Sequence, residues 1–304
     1  MIIFVKDMKN YFLAFIAGLL LSLSWPVNGF VYFIFIAFVP LFFLAKNLQK
    51  KRNKSIIKFL GFSFLTFLLF NVFTTYWVYY ASEFGAISAV IANSFFMSLV
   101  MLLFFWAKRV LGVRIGYFSL ITFWLTFEYI HLNWDLSWPW LTLGNCFSES
   151  LFLINWYEYT GVLGGSLWII IVNILVFELI DRREKVKPFF LLISLLLLPI
   201  FLSNSISNRA DHIKDYINVV VVQPNIDPYN EKFKISYQQQ LLDFINLAKT
   251  KIDSTTDLLV GPETALQENI WESKVQYTKS IQELQKLQLD FPELNILVGA
   301  TTFK

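Results

Sequence analysis

Few residues in this chain have the type and setting to do chemistry. Gly261-Pro262-Glu263-Thr264-Ala265 places one carboxylate directly after the apolar run Leu258-Leu259-Val260. An acid held there suits proton transfer in a catalytic site. Pro262 removes one backbone donor and stiffens the approach to the acid. A second reading stays open, in which Glu263 is a structural carboxylate satisfied by the free amides of a helix N-terminus. With two His and one Cys, the chain has too few soft ligands for a His/Cys metal site, and an intramolecular disulfide is excluded. No metal and no cofactor are expected.

The elements around Glu263 follow from periodicity. Residues 217–222, Ile-Asn-Val-Val-Val-Val, form a β-branched run of strand length that ends at Gln223-Pro224-Asn225. A helical pattern follows over about 233–251, with Phe233, Tyr237, Leu241 and Phe244 on its apolar face. Leu258–Val260 is a second strand, 273–290 a second helix, and Asn295–Ala300 a third strand. This β-α-β-α-β order favours adjacent parallel strands with helical crossovers. Chemistry in such sheets gathers past the C-terminal strand ends, here at Gln223–Asn225, at Glu263 and from Thr301 onward.

The rest of the chain has another solvent. Aromatic residues make up 18% and charged residues only 15%, where a soluble domain is nearer a quarter charged. The imbalance lies in residues 1–203, while residues 204–304 read as soluble protein. Seven apolar stretches occur, at about 11–24, 30–45, 59–80, 86–107, 115–132, 162–180 and 188–203. Several approach the length of a membrane-crossing helix. The first two are short, and a re-entrant hairpin is the alternative to two full spans.

Charge sets the orientation. Lys6 and Lys9, then Lys46, Lys50, Lys51, Arg52, Lys54 and Lys58, then Lys108, Arg109 and Arg114, then Arg182, Arg183, Lys185 and Lys187 fall at alternate ends of the stretches. The intervening loops 25–29, 81–85 and 133–161 hold no Lys or Arg. By the positive-inside rule the N-terminus is cytoplasmic and the soluble part lies outside. A cleaved signal peptide over residues 1–24 is the competing reading. Trp25-Pro26 is a poor cleavage site, and losing that span would break the alternation.

The loop 133–161 carries Trp134, Trp138, Trp140, Trp156, Tyr157 and Tyr159. It reads as an interfacial aromatic belt or as a guide for a lipid substrate. Cys146 lies in this loop and reads as a packing residue. Glu128 and His131, three apart near the end of the fifth stretch, either satisfy each other or the loop, or relay a proton.

Three segments together carry a resemblance. Val219-Val220-Val221-Val222-Gln223-Pro224-Asn225-Ile226, Leu258 through Ala265, and Ile296-Leu297-Val298-Gly299-Ala300 resemble the opening of a nitrilase-type domain of the carbon-nitrogen hydrolase superfamily. Behind seven spans, that domain is similar to the apolipoprotein N-acyltransferase family. Leu21-Ser22-Leu23-Ser24-Trp25-Pro26, Trp138-Pro139-Trp140-Leu141, and Glu158-Tyr159-Thr160-Gly161 with Gly164 to Asn173 are similar to family landmarks.

The resemblance implies a polytopic α-helical membrane domain over 1–203, a linker over 204–216 and an incomplete α/β nitrilase-like domain, an α-β-β-α sandwich in the family, over 217–304. It implies a bacterial inner-membrane protein with that domain in the periplasm. The implied partners are the membrane, a phospholipid acyl donor and a diacylglyceryl-modified apolipoprotein acceptor, with no nucleic acid. A Glu-Lys-Cys triad passes the acyl chain through a thioester to the α-amino group of the lipoprotein's N-terminal Cys. Glu263 matches the base, and Lys232-Phe233 resembles a basic-aromatic pair at the pocket rim. The other reading of that pair is first-turn helix residues with Phe233 in the core.

Gly261 departs from the Trp that many members carry before Pro-Glu. The family's Lys and Cys are expected past residue 304, so the chain reads as an N-terminal fragment, inactive alone and with an unstable half-domain. Lys304 lies too early for the catalytic Lys on family spacing. Two rival functions remain: a membrane-anchored amidase with water as acceptor, and a non-catalytic transporter or lipid-binding protein.

Overall fold

The computed structural model describes residues 2–26, 29–49, 55–181, 186–210, 216–227 and 231–304; side chains are described from residue 8, and α7 side chains up to residue 207. Lys50, Lys51, Arg52, Lys54, Arg182, Arg183 and Lys185, and the side chain of Lys6, lie outside the described residues. Contacts divide the chain into two compact units, Met1–Asp211 and His212–Lys304.

The first unit is helical: α1 (Ile2–Leu23), α2 (Val39–Gln49), α3 (Ser55–Thr75), α4 (Glu83–Val110), α5 (Val113–Leu132), α6 (Tyr157–Asp181) and α7 (Val186–Ala210). Among the described residues, five segments are long and apolar enough to cross a membrane: 31–49, 55–80, 83–110, 157–181 and 186–207. The chain is therefore a membrane protein by its helices. The segments expected at 11–24 and 115–132 are helical but stay outside that set. Met8–Leu23 is too short, and α5 carries Arg114, Glu128 and His131 among its apolar residues.

Several hydroxyls in these helices are satisfied within their own helix. Ser22, Thr74, Thr75, Ser94 and Ser98 each donate a hydroxyl to the carbonyl four residues earlier. Asn93 on α4 donates to Asn71 Oδ1 on α3 at 2.7 Å, a polar tie between two apolar helices. Gly18 lets α1 approach α3, where Thr66 Oγ1 donates to the Ala14 carbonyl at 2.9 Å.

Two expected boundaries differ. The second apolar stretch is broken into a 3-10 turn over Val31–Phe35 and then α2. The linker expected from 204 is helical to Ala210, because Asn204 to Asn208 continue the turn of α7 without Gly or Pro.

The second unit holds β1 (Val219–Val221), α8 (Tyr237–Lys249), β2 (Leu258–Val260), β3 (Leu266–Trp271), α9 (Lys279–Asp290), β4 (Asn295–Leu297) and β5 (Ala300–Phe303). The expected parallel sheet is present in the order β1-β2-β4, with Val220, Leu259 and Ile296 in line across it. Leu259 packs into a core with Val222, Phe244, Ile270 and Leu284. Ser236 caps α8 by accepting from the Gln239 amide at 3.2 Å, so this helix starts later than its apolar pattern.

Two features correct the sequence reading. The third strand stops at Leu297, and Ala300–Phe303 is a separate strand paired in parallel with β3. Thr301 therefore lies inside β5 rather than past a strand end, and Val298-Gly299 takes that place. Phe233 precedes α8 and is 83% exposed, so it is neither a helix residue nor part of the core.

Candidate active site at the strand ends

Parallel pairing in register brings three loops to one edge of the β1-β2-β4 sheet. Gln223–Asn225 follows β1, Pro262–Ala265 follows β2, and Val298-Gly299 follows β4. Glu263 sits on the middle one, the position with neighbours on both sides. Its turn is closed by the Ala265 amide donating to the Pro262 carbonyl at 3.2 Å. The structural alternative for Glu263 loses its basis here, since β3 rather than a helix follows the turn.

The turn is locked to the β4 side by backbone alone. Gly261 N–H donates to the Leu297 carbonyl at 2.8 Å, Gly299 N–H to the Pro262 carbonyl at 3.1 Å, and Leu266 N–H to the Gly299 carbonyl at 3.1 Å. Gly299 lies so close to Glu263 that any side chain there would overlap the Glu263 backbone. Glu263 itself is exposed, so its carboxylate is open to a reactant while its backbone is fixed.

On the β1 side lies a cavity of about 350 Å³ whose lining includes Gln223, Asn225, Lys232, Gln240, Pro262 and Thr264. The Lys232 ammonium donates to the Thr264 hydroxyl, one residue from the acid. Asn225 adopts φ of 56°, a left-handed conformation that Asn tolerates better than most residues, and this turns the chain off β1.

The loop bearing Lys232 is held from beneath by Gln240. This buried amide donates to the Lys232 carbonyl at 2.7 Å and to the Ile235 carbonyl at 2.9 Å. Of the rim pair, the structure brings Lys232 to the cavity and leaves Phe233 outside its lining. Gln240, Thr264 and Gly299 were not singled out from the sequence. The one available signal was a Gln on the apolar face of α8, four residues before Phe244.

In the helical unit, Glu128 Oε1 accepts from Trp124 Nε1 at 2.9 Å and from the Leu143 amide at 2.8 Å. The carboxylate thus satisfies the aromatic loop rather than His131, whose ring stacks on Phe127. That loop is folded into 3-10 turns at Pro139–Leu141, Leu143–Phe147 and Leu151–Leu153, and its Leu143, Cys146 and Phe147 are buried. Burial pushes the Cys146 thiol well above its ordinary range, as expected of a packing residue and not a nucleophile.

The family model for the apolipoprotein N-acyltransferase N-terminal domain matches residues 17–175, more than half of the chain. The chain belongs to the apolipoprotein N-acyltransferase family. Similarity to whole family members covers more of the chain than the first unit and so reaches into the second. The chain is 28% identical over 265 residues to the apolipoprotein N-acyltransferase of Chlorobaculum tepidum, covering 85% of this chain and 49% of that protein. It is 29% identical over 278 residues to that of Geobacter metallireducens, covering 84% and 51%. With the Rickettsia typhi protein it shares 26% over 272 residues, covering 85% and 52%. The chain spans about half the length of the curated relatives it matches.

Proposed function

We propose that the protein transfers an acyl chain from a phospholipid to the α-amino group of the diacylglyceryl-modified N-terminal Cys of a lipoprotein, with Glu263 as general base. The observation that carries this reading is the placement of Glu263: exposed, on the central turn past the parallel strands, with its backbone pinned against Gly299. Family membership supplies the reaction.

In this reading Glu263 removes the proton from an attacking thiol and passes it to the phospholipid's ester oxygen, which leaves as the alcohol of the lysophospholipid as the thioester forms. In the second half it takes the proton of the incoming amine as nitrogen replaces sulfur at the acyl carbon. Lys232, anchored on Thr264, borders the cavity beside the acid and offers a positive charge to a phosphate or to a developing oxyanion.

The reading includes a finer topology. Seven helical segments cross a bacterial inner membrane with their basic ends in the cytoplasm. Residues 217–304 form the opening half of a periplasmic nitrilase-like domain. Lys46, Arg109 and Asp181 support a common basic end: Lys46 pairs with Asp181, and Arg109 Nη1 donates to Ser55 Oγ at 3.0 Å.

The test is an acyl-transfer assay on the full-length protein with phospholipid and a diacylglyceryl lipopeptide, against a parallel assay for release of free fatty acid into water. Glu263→Gln is expected to lower transfer by about 10²–10⁴-fold, the usual worth of a positioned base. Undiminished transfer by the variant overturns the role of Glu263. Release to water without transfer to the amine makes water the acceptor and overturns the transfer reading.

A further inference from the structure

We propose that the basic end of the helical unit holds a phosphate-binding site for a phospholipid headgroup, built around the buried ammonium of Lys108. This site is separate from the strand-end site and does not depend on the acyl-transfer reading.

The chain reaches this arrangement through a tight connection. α4 ends at Val110, Leu111 and Gly112 turn the backbone, and Gly112 takes φ of 92°, which a side chain would resist. α5 then runs back along α4. Gly116 lies on Lys108 itself, where a Cβ would come within 2.5 Å of the lysine's Cα and Cβ. The side chain of Lys108 is thereby pressed inward, and the residue is only 4% exposed.

Its ammonium enters an aromatic cage. Nζ lies 4.9 Å from the ring centroid of Tyr117, 5.5 Å from Phe104 and 5.6 Å from Phe177. Ring faces attract a cation but accept hydrogen bonds poorly. The sole oxygen partner given to Nζ among the described residues is the Tyr117 hydroxyl, at a long 3.4 Å. No carboxylate of the described residues lies at ion-pair distance, because Asp181 is taken by Lys46. An ammonium has three donors, and buried donors left without an acceptor are costly.

Those donors border a cavity of about 300 Å³, lined also by Lys46, Gln49, Tyr117, Glu178 and Asp181. The Lys46–Asp181 pair is neutral as a unit, and Glu178 is itself engaged in a contact. Asp181 acts on Lys108 at longer range without hydrogen-bonding it, so what Lys108 lacks is an acceptor for its donors. A singly charged oxyanion with two free oxygens satisfies it, and a phosphodiester at a membrane surface is such a group. Free phosphate offers the same chemistry from solution, so the experiment must separate the two sources.

The full-length protein, delipidated in a neutral detergent, is titrated with phosphatidylglycerol, with diacylglycerol and with inorganic phosphate, and bound species are counted by native mass spectrometry. Phosphatidylglycerol is expected to add a bound lipid that diacylglycerol does not. In Lys108→Met that affinity falls about tenfold, the worth of one charge-assisted contact. Retention by inorganic phosphate alone places the source in solution and overturns the lipid assignment. Equal binding by wild type and Lys108→Met overturns the site. Should Lys108→Met fail to fold, a photo-crosslinking residue at Val113, on the cavity wall, reads the site with Lys108 intact. Crosslinks to phosphatidylglycerol support the site, and none above the diacylglycerol level overturns it.

Discussion

Asn173 completes the backbone of Phe38 across 135 residues of sequence: its Oδ1 accepts the Phe38 amide at 2.9 Å. Its Nδ2 donates to the Ile34 carbonyl at 2.8 Å and to the Ile169 carbonyl of its own helix at 2.9 Å. The stretch 31–49 breaks between its 3-10 turn and α2 at this point, where water is not at hand to satisfy free amides. One carboxamide on α6 therefore makes an interrupted helix tolerable inside an apolar core. Asn173 is fully buried, consistent with that duty.

Asn173→Leu keeps the volume and removes both partners. Each orphaned buried backbone group costs about 1–3 kcal/mol, so the variant unfolds at a clearly lower temperature in detergent. Asn173→Asp retains the acceptor for Phe38 but sets a buried carboxylate against the Ile34 and Ile169 carbonyls, and is expected to be at least as destabilising. An unchanged melting temperature for Asn173→Leu would sink this account.

Gly299→Ala tests whether the Glu263 turn needs its close backbone contact. The added Cβ would lie 2.6 Å from Glu263 Cα, with backbone rather than a flexible side chain in its way. The turn must shift, at a cost of about 1–3 kcal/mol for overpacking. Acyl transfer by the full-length protein is expected to fall while thermal unfolding of the helical unit stays put. Wild-type transfer by this variant contradicts the need for a fixed Glu263.

Much of the second unit was legible because the strands of the main sheet are short runs rich in Val, Leu and Ile and its helices are amphipathic. β3 was not legible. Leu266-Gln267-Glu268-Asn269-Ile270-Trp271 buries only Leu266 and Ile270, four apart, and its pairing with β5 shifts register between them. That irregularity erases the alternation by which a strand is read. The site was half legible. Glu263 follows an obvious strand, but Gly299 looked like strand interior, and the role of Gln240 depends on two carbonyls in a loop before its helix. In the helical unit, Asn173 is a polar residue within an apolar run, while its partner Phe38 carries no local signal.

Gln240 is a positioning residue under the site. Gln240→Leu is expected to free the loop at Lys232 and Ile235, and Gln240→Glu to set an acceptor against two carbonyls. A displacement of Lys232 by about 1 Å can cost up to about 10²-fold in transfer. The Glu variant is expected to be the worse of the two, a ranking that simple loss of packing does not give. Equal, near-wild-type transfer in both removes Gln240 from the site.

Cys146 supplies the pH test. Burial disfavours its thiolate, and the nearby carboxylate of Glu128 adds to this, so its pKa in the folded protein lies above the ordinary 9.0. The sign follows for an acid raised on folding. The folded state binds the proton more tightly than the unfolded chain, so stability is intact below pH 9.0 and declines as pH rises above it. A maleimide is therefore expected to label native protein slowly at pH 7 and denatured protein at the rate of a free thiol. Cys146→Ala is expected to lessen the alkaline decline without abolishing acyl transfer, since the residue packs beside Leu143 and Phe147 rather than reacting. Fast native labelling at pH 7 would show an open thiolate, and loss of transfer in Cys146→Ala at wild-type stability would make it a participant.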